Sequence, residues 1–397
     1  MRLNSLLPSL ASVLAILVFA STIVSASFAD SIASSSEDFV TKVHVPHTHP
    51  LLFYHGRWDD APETWWSASG FALALSSPST LKSITLTLGQ NTTFPLVALG
   101  VSINYGEWVP FNASAGPNQV PLPSQLQSKS KTDITTIRIL TQMYFSSQMH
   151  LESIDIEVSS DSHLPPTLIP YPSSPLAFEF IGDSFSTGYT TPLGALQAWD
   201  FIVAERFKAE QSIVAQPGAA LVDIFSFGNA HGMSYQFFKT EDTSYYYSTV
   251  HNYTTPWNFR RDVPKRTHVV VHIGANDASQ LVPQPLFVST YIDFLTKIRK
   301  ELYPTQPFFL FTPWGWPQPS GPNAYYYDGA YQEVLDARKS MGDENLFLVN
   351  TTGWVGYDDV FPDNLHPSVE GHAKIARLFS AWLEDWGLKP LEAWPAQ

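Results

Sequence analysis

Leu176-Ala-Phe-Glu-Phe-Ile-Gly-Asp-Ser-Phe-Ser186 decides how the C-terminal half of this chain folds. Its first six residues form a short apolar run with the length and composition of a buried strand, and Gly182-Asp183-Ser184 ends it abruptly. After a stretch of Gly, Thr and Pro, the apolar spacing over residues 193–207 predicts a helix. A serine at the end of a buried strand stands where open α/β sheets gather their ligands, at the carboxyl edge. Further along, the same rhythm repeats. Residues 268–273, 307–311 and 346–349 read as strands, and residues 286–300, 325–339 and 368–383 as helices. This alternation predicts a parallel sheet with both faces covered.

Upstream the pattern changes. Residues 71–75, 81–88, 97–103, 135–140 and 151–158 are short, β-rich and separated by turn residues, with no helical periodicity. They predict an all-β sandwich, a jelly roll, over residues 40–160. Residues 161–175 are dense in Pro and Ser and read as a linker to an α/β domain over residues 176–390. Before the sandwich, Arg2, an apolar stretch over residues 6–24 and small residues near Ala26 and Ala29 read as a secretory signal occupying residues 1–29. An uncleaved membrane anchor is the competing reading of that stretch.

The chemistry lies in three separated segments. Asp363-Asn-Leu-His366 follows the last predicted strand, and with Ser184 it supplies what nucleophilic ester hydrolysis needs. A serine hydroxyl is a poor nucleophile until a neutral imidazole takes its proton, and the imidazole needs a carboxylate to fix its tautomer and stabilise its charge. Gly274-Ala-Asn276-Asp277 places an amide side chain at another strand end, and Gln216-Pro-Gly218 follows the apolar Ile213-Val214. The Asn276 amide and the Gly218 N–H are candidate donors to a developing oxyanion. Asp183 and Asp277 read as loop braces, and His272 as a group within an apolar strand. His44, His47 and His49 have no nearby carboxylate in a ligand pattern and read as a solvated N-terminal segment rather than a metal site.

These blocks, in this order, resemble the SGNH or GDSL-like hydrolases. The resemblance spans about residues 175–386 and implies Ser184 as nucleophile, His366 as base and Asp363 as its orienting carboxylate. It also implies an oxyanion hole of the Ser184 and Gly218 N–H groups and Asn276. Gln-Pro-Gly departs from the pattern usual in the second block. A β-sandwich placed before such a domain, opened by Leu51-Leu-Phe-Tyr-His-Gly-Arg-Trp-Asp59, is similar to carbohydrate esterase family two, whose members deacetylate plant polysaccharides. That similarity implies a polysaccharide acetyl esterase acting through an acyl-serine. Trp314, Trp316 and Trp354, at strand ends or near the Asp363 loop, are candidate sugar-packing surfaces. The alternatives are a lipase or general esterase, a carbohydrate-binding protein with an inactive hydrolase domain, and transfer of the acyl group to another sugar.

The 397 residues carry 22 Lys and Arg against 36 Asp and Glu, a formal net charge of −14. Such a surface repels nucleic acid and anionic membranes and favours an uncharged partner such as an acetylated polysaccharide or oligosaccharide. There is no cysteine, so neither disulfides nor thiolate chemistry contribute. No cofactor is implied. Sequons at Asn91, Asn112, Asn252 and Asn350 agree with an extracellular, glycosylated protein.

Overall fold

The N-terminal part is built from antiparallel strands whose alternating side chains meet between two sheets. In this computed structural model, residues 39–76, 80–123, 134–142, 147–160, 166–243 and 253–395 are described; the expected signal segment, residues 161–165 and Asn252 lie outside them. One sheet runs β1 (Phe39–Pro46), β9 (Leu151–Ser160), β4 (Thr80–Leu88), β7 (Gly116–Gln119). The other runs β10 (Thr167–Ile169), β3 (Thr64–Ser76), β8 (Ile134–Thr141), β5 (Val97–Ile103), β6 (Val109–Ala113), with β2 (Phe53–Trp58) also paired to β3. Val45, Ile84, Leu86, Ile154 and Ile156 from the first sheet pack on Phe71, Leu73, Leu99, Ile137 and Ile139 from the second. The two sheets form the jelly-roll-like sandwich.

The segment of His44 is β1, paired in register with β9, and the His44 ring is solvated, as expected, while bonding Asp155 at 2.8 Å. Its alternation is legible in retrospect, with Thr41, Val43 and Val45 turned inward relative to Val40, Lys42 and His44. The expected linker contains β10, whose three residues pair antiparallel with Ala74–Ser76. Pro166 and Pro170 flank it without interrupting it, as prolines can at a sheet edge. Unlike a half-solvated strand, β3 is buried almost throughout. Its second face meets the α/β part, where Ala68 joins the cluster of Leu196, Trp199 and Phe201.

The α/β part contains a five-stranded parallel sheet in the order β12 (Glu210–Ala215), β11 (Ala177–Gly182), β13 (His268–His272), β14 (Phe308–Phe311), β15 (Leu346–Val349). One face, with Ile181, Val269, Val271 and Leu310, packs on α4 (Gln284–Glu301) and α5 (Ala330–Ser340) through Phe287, Tyr291, Leu295 and Val334. The other, with Phe178, Phe180, Val270 and Phe311, packs on α1 (Trp199–Phe207) and α6 (Val369–Trp386) through Phe201, Phe207, Ile375 and Phe379. Two short helices, α2 (Met233–Gln236) and α3 (Ala275–Ser279), cap loops at the carboxyl edge.

Two predicted helices are shorter than their apolar spacing implied. Residues 194–197 form a separate 3₁₀ turn, because Ala198 is extended (ψ 149°) before α1. The segment from Tyr325 enters α5 only after Tyr327 and Gly329, both at positive φ. All five strands point the same way, so the segments after β11, β12, β13 and β15 share one edge.

Candidate active site

Ser184 opens a single 3₁₀ turn immediately after β11, and the turn is fixed by its neighbour: Asp183 Oδ1 accepts from the Phe185 N–H at 3.1 Å. The Ser184 side chain is thereby held at the carboxyl edge, 7% exposed. The Asp363-to-His366 segment is equally local. Asp363 Oδ1 accepts the N–H groups of Leu365 (3.0 Å) and His366 (2.9 Å), with Asn364 at φ +60°, a conformation asparagine tolerates. That turn brings the His366 ring back over its own carboxylate, and the three-residue spacing is the spacing such a turn needs. Behind it, Ser368 caps α6 by accepting from the Gly371 N–H at 3.1 Å, which anchors the loop to a buried helix.

The structure brings the three side chains into one line. Asp363 Oδ2 lies 2.6 Å from His366 Nδ1, and His366 Nε2 lies 2.8 Å from Ser184 Oγ. A carboxylate only accepts, so the proton sits on Nδ1 and Nε2 is left to accept from the serine hydroxyl. Burial lowers the His366 pKa, partly offset by the Asp363 hydrogen bond and charge, so the imidazole is neutral at neutral pH. Burial alone would raise the Asp363 carboxyl; the N–H groups and ring of His366 outweigh it and hold the pKa below the usual aspartate value.

Gly218 and Asn276 line the same cavity of about 700 Å³ as Ser184 and His366. The unusual Gln-Pro-Gly block has a structural explanation. Gln216 to Ala219 form a type II turn, closed by Ala219 N–H donating to Gln216 O at 3.1 Å, with Pro217 first and Gly218 second at φ +79°. Asn276 differs from expectation in one respect. Both its amide hydrogens have acceptors, Asp183 Oδ2 at 3.2 Å and Ala219 O at 3.0 Å, so donation to an oxyanion exchanges one of these bonds. Asp183 and Asp277 act as braces. Asp277 accepts from Leu221 N–H (2.7 Å) and Val222 N–H (2.9 Å), holding the chain just after the Gly218 turn. Burial pushes the carboxyl of Asp183 up to about 7 and that of Asp277 up to about 6.

The tryptophans separate. Trp316 lines the cavity. Trp314 does not: it is 1% exposed and stacks on His272 with ring centroids 4.0 Å apart, beneath Phe185. It belongs to the core, because the strand-end position carries its side chain under the site rather than into it. His272 is likewise interior, its pKa lowered to about 3 by burial. Trp354 packs edge-on against Phe311 at 5.7 Å and is not part of the cavity wall. The wall instead includes Tyr189, whose ring centre is 4.5 Å from that of His366, and Phe225 and Phe227, which are 70% and 57% exposed. Two phenylalanines spaced by two in the Gly- and Asn-punctuated segment Phe225-Ser-Phe-Gly-Asn229 were a signal of an exposed apolar loop. Of the sequon asparagines, Asn91, Asn112 and Asn350 are exposed, and Asn91 donates to Glu63.

Among the described residues no group of three His, Cys, Asp or Glu side chains is placed to hold a metal ion, and no helix is long and apolar enough to cross a membrane.

Residues 180–374 match the GDSL-like Lipase/Acylhydrolase family. No curated protein sequence matches the chain. Among solved structures, the chain is similar to a family two carbohydrate esterase from Clostridium thermocellum in complex with cellohexaose (TM-score 0.62, 20% identity, covering 84% of this chain and 98% of that one). It is also similar to a carbohydrate esterase family 2 enzyme with a carbohydrate-binding domain from Corynascus thermopiles (Myceliophthora fergusii) (TM-score 0.62, 18% identity, 84% and 98%). A third is an acetyl xylan esterase from the rumen bacterium Butyrivibrio proteoclasticus (TM-score 0.63, 15% identity, 87% and 99%). At these identities the likeness establishes the two-part fold, sandwich and α/β domain together.

Proposed function

We propose that this chain, a carboxylic ester hydrolase by its GDSL-like lipase/acylhydrolase domain, removes acetyl groups from polysaccharide outside the cell through an acyl-Ser184 intermediate. The observation that carries the reading is the hydrogen-bonded line from Asp363 through His366 to Ser184 at the floor of an open cavity.

In this mechanism Ser184 Oγ attacks the ester carbonyl carbon while its proton passes to His366 Nε2. The carbonyl oxygen becomes an oxyanion facing the N–H groups of Ser184 and Gly218 and the Asn276 amide. Collapse of this tetrahedral species breaks the bond to the sugar oxygen, which takes the proton from His366 and leaves as an alcohol. Water then attacks the acyl-serine, losing one proton to His366, and acetic acid departs as that proton returns to Ser184, ionising to acetate in solution. Asp363 holds the ring and stabilises its positive charge between the two transfers. No metal is needed.

The net charge of −14 and the aromatic rim of Tyr189, Phe225, Phe227 and Trp316 suit an uncharged ligand with apolar faces, as a sugar ring has. Structural relatives described as carbohydrate and acetyl xylan esterases support the same substrate class. The signal-like segment and the exposed sequons support export and glycosylation. A lipase or general esterase is favoured by one observation, the exposed Phe225 and Phe227, which suit a longer acyl chain. Purified protein is to be assayed on acetylated xylan, acetylated mannan and aryl esters of rising acyl length. Release of acetate with turnover falling beyond a few carbons supports the acetyl esterase, and a preference for long chains supports the lipase.

A further inference from the structure

The Pro217–Gly218 peptide is the central unit of the turn that carries the Gly218 N–H. In a turn of four residues closed between its first and last, the central peptide unit can face either way, and the two orientations are the type I and type II turns. Its C=O and N–H point in opposite directions because the unit is planar and trans. Fixing the Pro217 carbonyl on one side therefore aims the Gly218 N–H to the other. Among the described residues the Gly218 N–H has no protein acceptor, and Gly218 lines the cavity beside Ser184.

One side chain fixes that carbonyl. Asn229 Nδ2 donates to Pro217 O at 2.8 Å. Asn229 is 2% exposed and is itself held from several directions. Its backbone exchanges two hydrogen bonds with Ser226 (3.1 and 2.8 Å), its amide also donates to Ser226 O at 3.2 Å, and its Oδ1 accepts from Thr243 Oγ1 at 3.3 Å. The loop presses on the turn as well. A Cβ built on Gly218 would lie 2.5 Å from Phe227 Cβ and 3.3 Å from Asn229 Nδ2, so the glycine and the loop are fitted to each other.

We propose that Asn229 is a positioning residue of the oxyanion hole: by holding the Pro217 carbonyl it aims the Gly218 N–H at the oxygen that becomes negative. Resting on the serine-esterase reading above, the inference gives the Phe225–Asn229 loop a role in transition-state stabilisation besides forming the cavity rim. Removing Asn229 leaves the donor in place but free to rotate away, so turnover falls while ground-state binding is unchanged.

The test compares wild type with Asn229→Ala and Thr243→Val. The assays are hydrolysis of an aryl acetate and binding of phenylboronic acid, with thermal melting to check the fold. On the boronate, Ser184 Oγ adds to boron, its proton passes to His366 Nε2, nothing leaves, and one boron-bound oxygen takes the oxyanion position. The expected result for Asn229→Ala is a fall in kcat of about 10- to 100-fold with KM within about twofold, and boronate affinity weakened by a similar factor. Thr243→Val, which takes the hydroxyl from Asn229 Oδ1 and from its nearer acceptor Gln236 Oε1 at 3.0 Å while leaving the Asn229 amide on Pro217 O, gives a smaller loss of the same kind and decides the matter if Asn229→Ala melts too early to assay. Unchanged kcat and boronate affinity, or a rise in KM alone, would overturn the inference while leaving the esterase reading standing. A wild type that neither hydrolyses esters nor binds the boronate removes both.

Discussion

Proton transfer from Ser184 depends on the protonation state of His366. Only the neutral imidazole accepts the Ser184 proton, and burial lowers its pKa despite the Asp363 partner. The group therefore stays neutral as the pH falls through the ordinary histidine value of about 6.5. The kcat/KM profile is expected to have an acid limb with its midpoint below that value, and a midpoint above about 7 would contradict the assignment. Replacing His366 with Ala removes the proton carrier, whereas Asp363→Ala removes only its orientation and charge balance, so the second loss is the smaller. Steady-state rates on one aryl ester rank the two variants, and the reverse order would mean that the roles are exchanged. Asn276→Ala removes a cavity-wall amide that already bridges Asp183 and Ala219. A fall in kcat on the order of 10²–10³ with little change in KM marks it as an oxyanion donor, and a rise in KM alone marks it as a substrate-binding group.

At the scale of elements, the catalytic edge depends on turns that tolerate few residues. Gly218 at φ +79°, with Phe227 Cβ 2.5 Å from where its own Cβ would stand, is one such position. Gly218→Ala is expected to cost about 1–3 kcal/mol in backbone strain and to lower kcat by moving the oxyanion peptide. Melting and kinetics measured on the same preparation check this, and a variant with wild-type kcat would show that the turn does not serve the site. Four strands of the parallel sheet were legible as apolar runs, and the triad because Asp-x-x-His is a single local turn; β12 opens on Glu210, Gln211 and Ser212, so only its Ile213-Val214 end stood out. Other features were hidden by tertiary context. β3 carries no clean alternation because both its faces are covered, and β10 is three residues long between prolines. Trp314 and Trp316 share one strand end, yet one enters the core and the other the cavity, a choice of side-chain direction that residue spacing does not encode. Asn229 stood outside every motif, since its partner is a backbone carbonyl twelve residues away.

Across the whole molecule, the sandwich and the α/β part are joined by buried cations rather than by apolar contact alone. Arg138 of β8 forms a two-pronged bond with Glu205 of α1 (2.7 and 3.0 Å), its guanidinium 4.7–4.8 Å from the rings of Tyr105, Trp108 and Trp394. Arg57 of β2 donates to the Phe237 carbonyl at 2.6 Å and to that of Lys239, within a cage of four aromatic rings that includes Trp66 and Phe259. Arg138→Ala leaves Glu205 partly buried without its partner and is expected to destabilise the fold by about 3 kcal/mol in urea unfolding. A change under about 1 kcal/mol would mean that packing alone holds the joint. The sandwich is thus part of the enzyme's frame, and the chemistry of the whole rests on one hydroxyl. Its most direct test is acetate release from acetylated xylan by wild type and by Ser184→Ala with matched circular dichroism. Steady release by wild type and a loss of about 10⁴- to 10⁶-fold in the variant are expected. Release by Ser184→Ala at the wild-type rate would contradict Ser184 as the nucleophile.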